Sequence, residues 1–156
     1  MVLAVTHDRG AWPVGMEPEP GARIIDVGIG RYWIGREGIV FNENLVRGTV
    51  DVDAVTRGVA AIAELCHGVP AVVLSHASLA GGSTREARAY IDGPEARRTI
   101  GAMALVAESP VTRMVLAFFL RVSSISYPTR VFHSVAEARA WARSQVESIG
   151  QRAAAQ

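Results

Sequence analysis

Two short runs of consecutive apolar residues, "AVVLS" at 71–75 and "MALVA" at 103–107, restrict the fold of this chain more than any other feature. Neither alternates with polar residues, so each reads as a strand buried on both faces, the usual state of a parallel strand. Parallel neighbours cannot be joined by a tight turn and need a crossover of about a dozen residues or more. The segments around both runs carry the caps and the periodicity of helices.

"RYWIG" at 31–35 and "IVFNE" at 39–43 flank Arg36, Glu37 and Gly38, a tight connection in which Gly38 can take φ > 0; together they predict a β-hairpin. Asp51 caps a helix whose apolar positions Val52, Val55, Val59, Ile62, Ala63 and Cys66 recur at helical spacing, and Gly68 closes it behind His67. After the first apolar run, Ser83 and Glu86 have the spacing of a capping box, with Ala87, Tyr90 and Ile91 as the buried stripe. Gly93 and Pro94 end that helix and begin a second short one reaching Ile100. Ser109 and Pro110 supply N-cap and N1 for a helix over 110–122, and "TRVFH" is a last strand. Ser134 and Glu137 then open a final helix lined by Ala138, Trp141, Ala142 and Ile149.

The order hairpin, helix, strand, helix pair, strand, helix, strand, helix predicts an α/β fold: a mixed, mostly parallel sheet with an N-terminal β-hairpin and right-handed helical crossovers. One domain covers 29–150. Residues 1–28 form an N-terminal arm, irregular and outside the core over "AWPVGMEPEPGA", after which "RIIDVGI" can add a short extra strand. Residues 151–156 read as a disordered tail.

The basic residues are 16 arginines against 15 acids, a net charge of +1 without long runs of one sign, which leaves no nucleic-acid footprint. Lysine is absent, which excludes a Walker-type phosphate loop and Schiff-base or pyridoxal chemistry. With Cys66 as the single cysteine, the chain has no intrachain disulfide and no cysteine-rich zinc site, and a reducing cytoplasm suits it. "MVLAVTHDRG" lacks the basic start of a signal peptide, and "MVLAFFL" at 114–120 falls well short of the roughly 20 residues that span a bilayer. The expectation is a cytoplasmic protein with no membrane contact, no cofactor and no metal.

The element order resembles the STAS domain, found in sulfate transporters and anti-sigma-factor antagonists. More specifically, "RYWIGREGIVF", "STREARAY", "SPVTRMVLAFFL" and "YPTRVFHSVAEARAW", between Arg31 and Arg143, are similar to a family of small uncharacterised bacterial STAS-like proteins. The resemblance implies a binding or regulatory domain. In anti-sigma-factor antagonists a Ser or Thr in an Asp-Ser-x-Gly-like stretch, at the start of the helix after a central strand, is phosphorylated to switch partner binding. The corresponding stretch here is "LSHASLAGGST": the Asp-Ser pair is missing, His76 stands where the acidic residue is expected, and Ala117 stands where the nearer relatives favour Asn.

Candidate site residues gather at this stretch. Ser83 reads first as a helix cap, and the capped end can also attract an anion; Ser78 and Thr84 are the other hydroxyls, and Gly81 and Gly82 give the loop its freedom. His76, at the C-terminal end of a central parallel strand, is the candidate general acid/base, with a loop histidine bonded to backbone as the simpler reading. His133 can converge on it from the next strand end, but two histidines without a third ligand make no metal site. In the helix over 110–122, Val111, Val115, Phe118 and Val122 read as the buried stripe. Leu116 and Leu120 then face out near Arg113, an interface for a homodimer.

These features favour a non-enzymatic STAS-like regulatory or binding domain that recognises a protein partner or a small ligand at the strand-end crevice. The alternative is a small cytoplasmic enzyme acting on an apolar or anionic metabolite through His76.

Overall fold

β-branched and aromatic residues on either side of a four-residue connection build the antiparallel half of the sheet. The computed structural model of the chain describes residues 10–45, 48–77 and 82–156. β1 (Ile25–Asp26) pairs antiparallel with β2 (Gly30–Ile34), which pairs antiparallel with β3 (Ile39–Asn44). Gly38 takes φ 78° in the turn, where a side chain would be strained. Trp33 lies opposite Phe41, and their rings stack with centroids 5.8 Å apart.

The parallel half follows from the two apolar runs. After β3 come α1 (Val52–Cys66), β4 (Ala71–Ala77), α2 (Arg85–Ile91), α3 (Pro94–Thr99) and β5 (Ile100–Val106). The chain ends with α4 (Pro110–Val122), β6 (Thr129–Phe132) and α5 (Val135–Ala154). The sheet has the sequential order β1-β2-β3-β4-β5-β6, with β3 to β6 parallel. This is the expected α/β class, a mixed, mostly parallel sheet behind an N-terminal hairpin. The Asp51, Ser109 and Ser134 caps are all in place, each side chain accepting a backbone N–H three residues on. No helix among the described residues is long and apolar enough to cross a membrane.

Alternation along each strand sends its side chains to two different layers. Val72 and Leu74 of β4, with Ile39, Phe41, Ala102 and Ala104, pack under α5 through Ala138 and Ala142. Ala71 and Val73, with Val40 and Ile100, pack under α1 and α3 through Val59, Ile62 and Ala96. On the helix side Ala138 and Ala142 are fully buried against the strands, and Val135, Trp141, Val146 and Ile149 of α5 complete the layer.

The structure departs from expectation in three places. Met16, assigned to an arm outside the core, is 1 % exposed and belongs to the α5 layer, and Trp12 meets Trp33 edge-on at 4.8 Å. The prolines make this segment irregular without keeping it off the core: Met16 N–H closes a turn onto the Pro13 carbonyl, and Arg139 Nη1 donates to the Gly15 carbonyl at 2.7 Å. The last helix continues through Ala154, so most of the expected disordered tail is helical. In α4 the expected stripe holds only at Val115, which is partly buried; Val111, Phe118 and Val122 are exposed, Phe118 by 66 %, while Leu116 and Leu120 are partly buried. Apolar residues line both sides of this helix, so period alone could not orient it; buried Thr112, 8 % exposed, marks the inner side. The homodimer interface assigned to Leu116 and Leu120 is therefore not an exposed face.

Glu37, in the hairpin turn, joins both layers of the α5 side. Its carboxylate accepts from Arg139 Nε at 2.5 Å and Arg143 Nε at 2.6 Å. Burial pushes its pKa up, but the two arginines outweigh burial and hold it below the ordinary glutamate value. A lowered folded pKa adds stability that is complete above the unfolded value, near 4.3, and is lost as pH falls through the folded one. Glu37→Gln should cost about 1 kcal/mol in urea melts at about pH 7 and progressively less towards about pH 3. An equal loss at both pH values would show that the ion pairs do not contribute.

Candidate functional site

A sheet wider than the helices laid over it leaves space at one edge. On the α1 side, α4 runs close along β6 and stands off from α1. The gap is a cavity of about 640 Å³, floored by Met103 and Leu105, walled by Val55, Val59 and Ile62 of α1 and roofed by Leu116 and Phe119 of α4. Phe118 and Val122 sit at its mouth, exposed and still part of its wall. The volume lies within the roughly 300–1,000 Å³ typical of small-molecule sites, and an apolar lining with a few placed polar groups is their usual chemistry.

Those polar groups come from identifiable places. Tyr32 reaches the cavity from β2, and burial pushes its phenol pKa up to about 12, so it stays a neutral donor. Room for it exists because residue 58 is glycine: a Cβ there would stand 2.4 Å from the Tyr32 hydroxyl. Tyr127 is likewise raised to about 12, by burial and then by the Asp92 charge. At the strand end the wall is completed by Gly82, Ser83 and Arg88, whose Nη1 donates to the Ser83 carbonyl. Ser83 Oγ is buried and has no hydrogen-bond partner among the described residues. No Asp or Glu among the described residues lines the cavity.

Ser83 is not the helix cap. Its neighbours are drawn into a parallel bridge with Val50, where Val50 N–H donates to the Gly82 carbonyl and Thr84 N–H to the Val50 carbonyl, both at 2.9 Å. The bridge keeps the backbone extended one residue longer than the capping-box spacing implies. Thr84 becomes the N-cap, accepting from Ala87 N–H at 3.1 Å, and α2 starts at Arg85.

His76 does not join this site. The pleat sends it to the α5 side with Val72 and Leu74, across the sheet from the cavity. There it is 8 % exposed beside Glu43, its register partner on β3; its Nδ1 has no hydrogen-bond partner among the described residues and its Nε2 lies 4.0 Å from Glu108 Oε1. Glu43 in turn accepts from Arg31 Nε at 2.7 Å, and the Trp12 ring covers the Arg31 guanidinium at 3.6 Å. This buried ion pair is packed over rather than open, and removing either partner would strand a buried charge at about 3–5 kcal/mol. Sequence reading passed over Arg31 and Glu43, although their positions on facing hairpin strands imply a directly opposed pair. Ser75 points to the face opposite His76 and donates to Asn42 Oδ1 at 2.7 Å.

His133 is exposed and pairs with Glu137, Nδ1 to Oε2 at 3.0 Å, in a separate depression of about 500 Å³ shared with Arg113 and Arg130. Arg113 spends its Nη1 on the Ala107 and Glu108 carbonyls. Of the expected strand-end residues, the structure thus brings Gly82 and Ser83 to the cavity, leaves Thr84 as a cap, and places His76 and His133 elsewhere. Ser78 and Gly81 lie outside the described residues.

Residues 32–145, most of the chain, match the family described as Domain of unknown function (DUF7793). The chain belongs to that family. Among solved structures it is similar to an uncharacterized protein from the DUF3478 family with a SpoIIAA-like fold from Shewanella loihica PV-4. The two are 12% identical, the match covers 77% of this chain and 90% of that chain, and the TM-score is 0.47. No curated protein matches.

The two hydroxyls at the strand end can be separated by stability. Thr84→Ala should cost about 1 kcal/mol, the usual value of an N-cap. Ser83→Ala should be neutral or stabilising by up to about 1 kcal/mol, because it removes a buried hydroxyl that has no partner. Thermal melts of the two variants decide it, and a larger loss for Ser83→Ala would return the cap to that residue.

Proposed function

We propose that this chain is a non-enzymatic STAS-like domain that binds a small, mainly apolar ligand in the cavity between α1 and α4. One observation carries the reading: a space of about 640 Å³ with an apolar lining and a few polar groups in its wall. A void of this size left dry would forfeit packing for every side chain around it, and proteins seldom keep such spaces without a use. The hairpin leading into βα units, and the four stretches that resemble STAS-like proteins, support the domain type and its cytoplasmic setting.

The regulatory switch of anti-sigma-factor antagonists has less support in this chain. Ser83 Oγ is enclosed, so phosphorylation would first require the wall to open. Thr84 Oγ1 is engaged as a cap. A small enzyme acting through His76 is also less supported, since the sheet lies between that imidazole and the cavity.

Nile red, a neutral apolar dye, should bind the full chain and brighten. Leu116→Trp, which fills the roof of the cavity, should weaken that binding roughly 10-fold or more, whereas Val111→Ala on the outer face of α4 should not change it. Equal dye affinity for Leu116→Trp and wild type would refute the cavity as the binding site.

A further inference from the structure

Hydrogen-bonding capacity is unevenly used at the strand end of the cavity. A guanidinium offers five N–H donors in a planar fork. Arg88 is half-buried, and its one hydrogen bond goes to the Ser83 carbonyl; no carboxylate among the described residues pairs with it. Arg31, Arg139 and Arg143, by contrast, each hold a glutamate. Beside Arg88, Ser83 Oγ is buried with no hydrogen-bond partner among the described residues. An unpartnered hydroxyl in a folded protein costs stability and calls for a reason. The two groups share one wall of a cavity whose described lining contains a cation and no anion.

We infer that the cavity takes a small amphipathic carboxylate, its apolar body between α1 and α4 and its carboxylate against Arg88. The inference rests on the ligand-binding reading above and adds the ligand's charge and class. One guanidinium matches one carboxylate in charge and can meet it with paired N–H donors. A phosphate dianion would leave excess negative charge beside an apolar wall, which is costly to bury. The neutral phenol of Tyr32 adds a donor without adding charge.

Decanoate, decanol and decyl phosphate, titrated calorimetrically into the full chain, test this directly. Decanoate should bind at least roughly 10-fold tighter than either of the others. Arg88→Gln should weaken decanoate by roughly 10-fold or more and leave decanol unchanged, and Arg88→Lys should lose less. Equal affinity for decanoate and decanol, or decanoate binding untouched in both Arg88 variants, overturns the carboxylate assignment while the cavity reading stands. Tighter binding of decyl phosphate overturns it as well. Failure of all three probes and of Nile red removes the cavity reading along with it.

Discussion

Parallel strands joined by right-handed crossovers, each stepping to the next position in the same direction, place all their helices on one face. Here the β3-to-β6 order imposes that condition, so α1, the α2–α3 pair and α4 share a side and α5 alone covers the other. The rest of the structure depends on this asymmetry. The single helix over four parallel strands must pack tightly, and it does so through alanines backed by Trp33, Phe41 and Met16. The crowded face does not close completely, and the cavity lies where the last crossover, α4, follows the sheet edge instead of α1.

The two faces handle buried polarity differently. On the α5 side Arg31 and Glu43 neutralise one another under Trp12, so charge is buried but compensated. On the α1 side Arg88 and Ser83 are left without full partners at the cavity wall. The first arrangement anchors the N-terminal segment to the hairpin; the second leaves hydrogen-bonding capacity for something that enters the cavity. His76 sits with the first group although its position at a strand end suggested the second.

Much of the fold was legible because it rests on local signals. Apolar runs, caps at Asp51, Ser109 and Ser134, and the Gly38 turn each act over a few residues, and each stood where the structure has it. Errors arose where a local signal had two solutions. Ser83 and Thr84 can both cap α2, and the bridge to Val50, some thirty residues earlier in the chain, selects Thr84. Both sides of α4 are apolar, and only its seat over the cavity turns Leu116 inward and leaves Phe118 outside. Prolines around Met16 signalled irregular backbone, which is a statement about hydrogen bonding and not about burial.

By itself, then, the sequence determined the order and type of the elements, the mixed sheet and the absence of lysine and disulfide chemistry, since propensity, period and composition act without reference to distant residues. Tertiary structure alone decided which face each ambiguous side chain meets. The pleat separates His76 from Ser83 although seven positions divide them in the chain, and the stand-off of α4 from α1 creates a cavity that no stretch of sequence encodes. Side-chain direction and empty volume depend on how distant elements pack, and packing is not a local property of the chain.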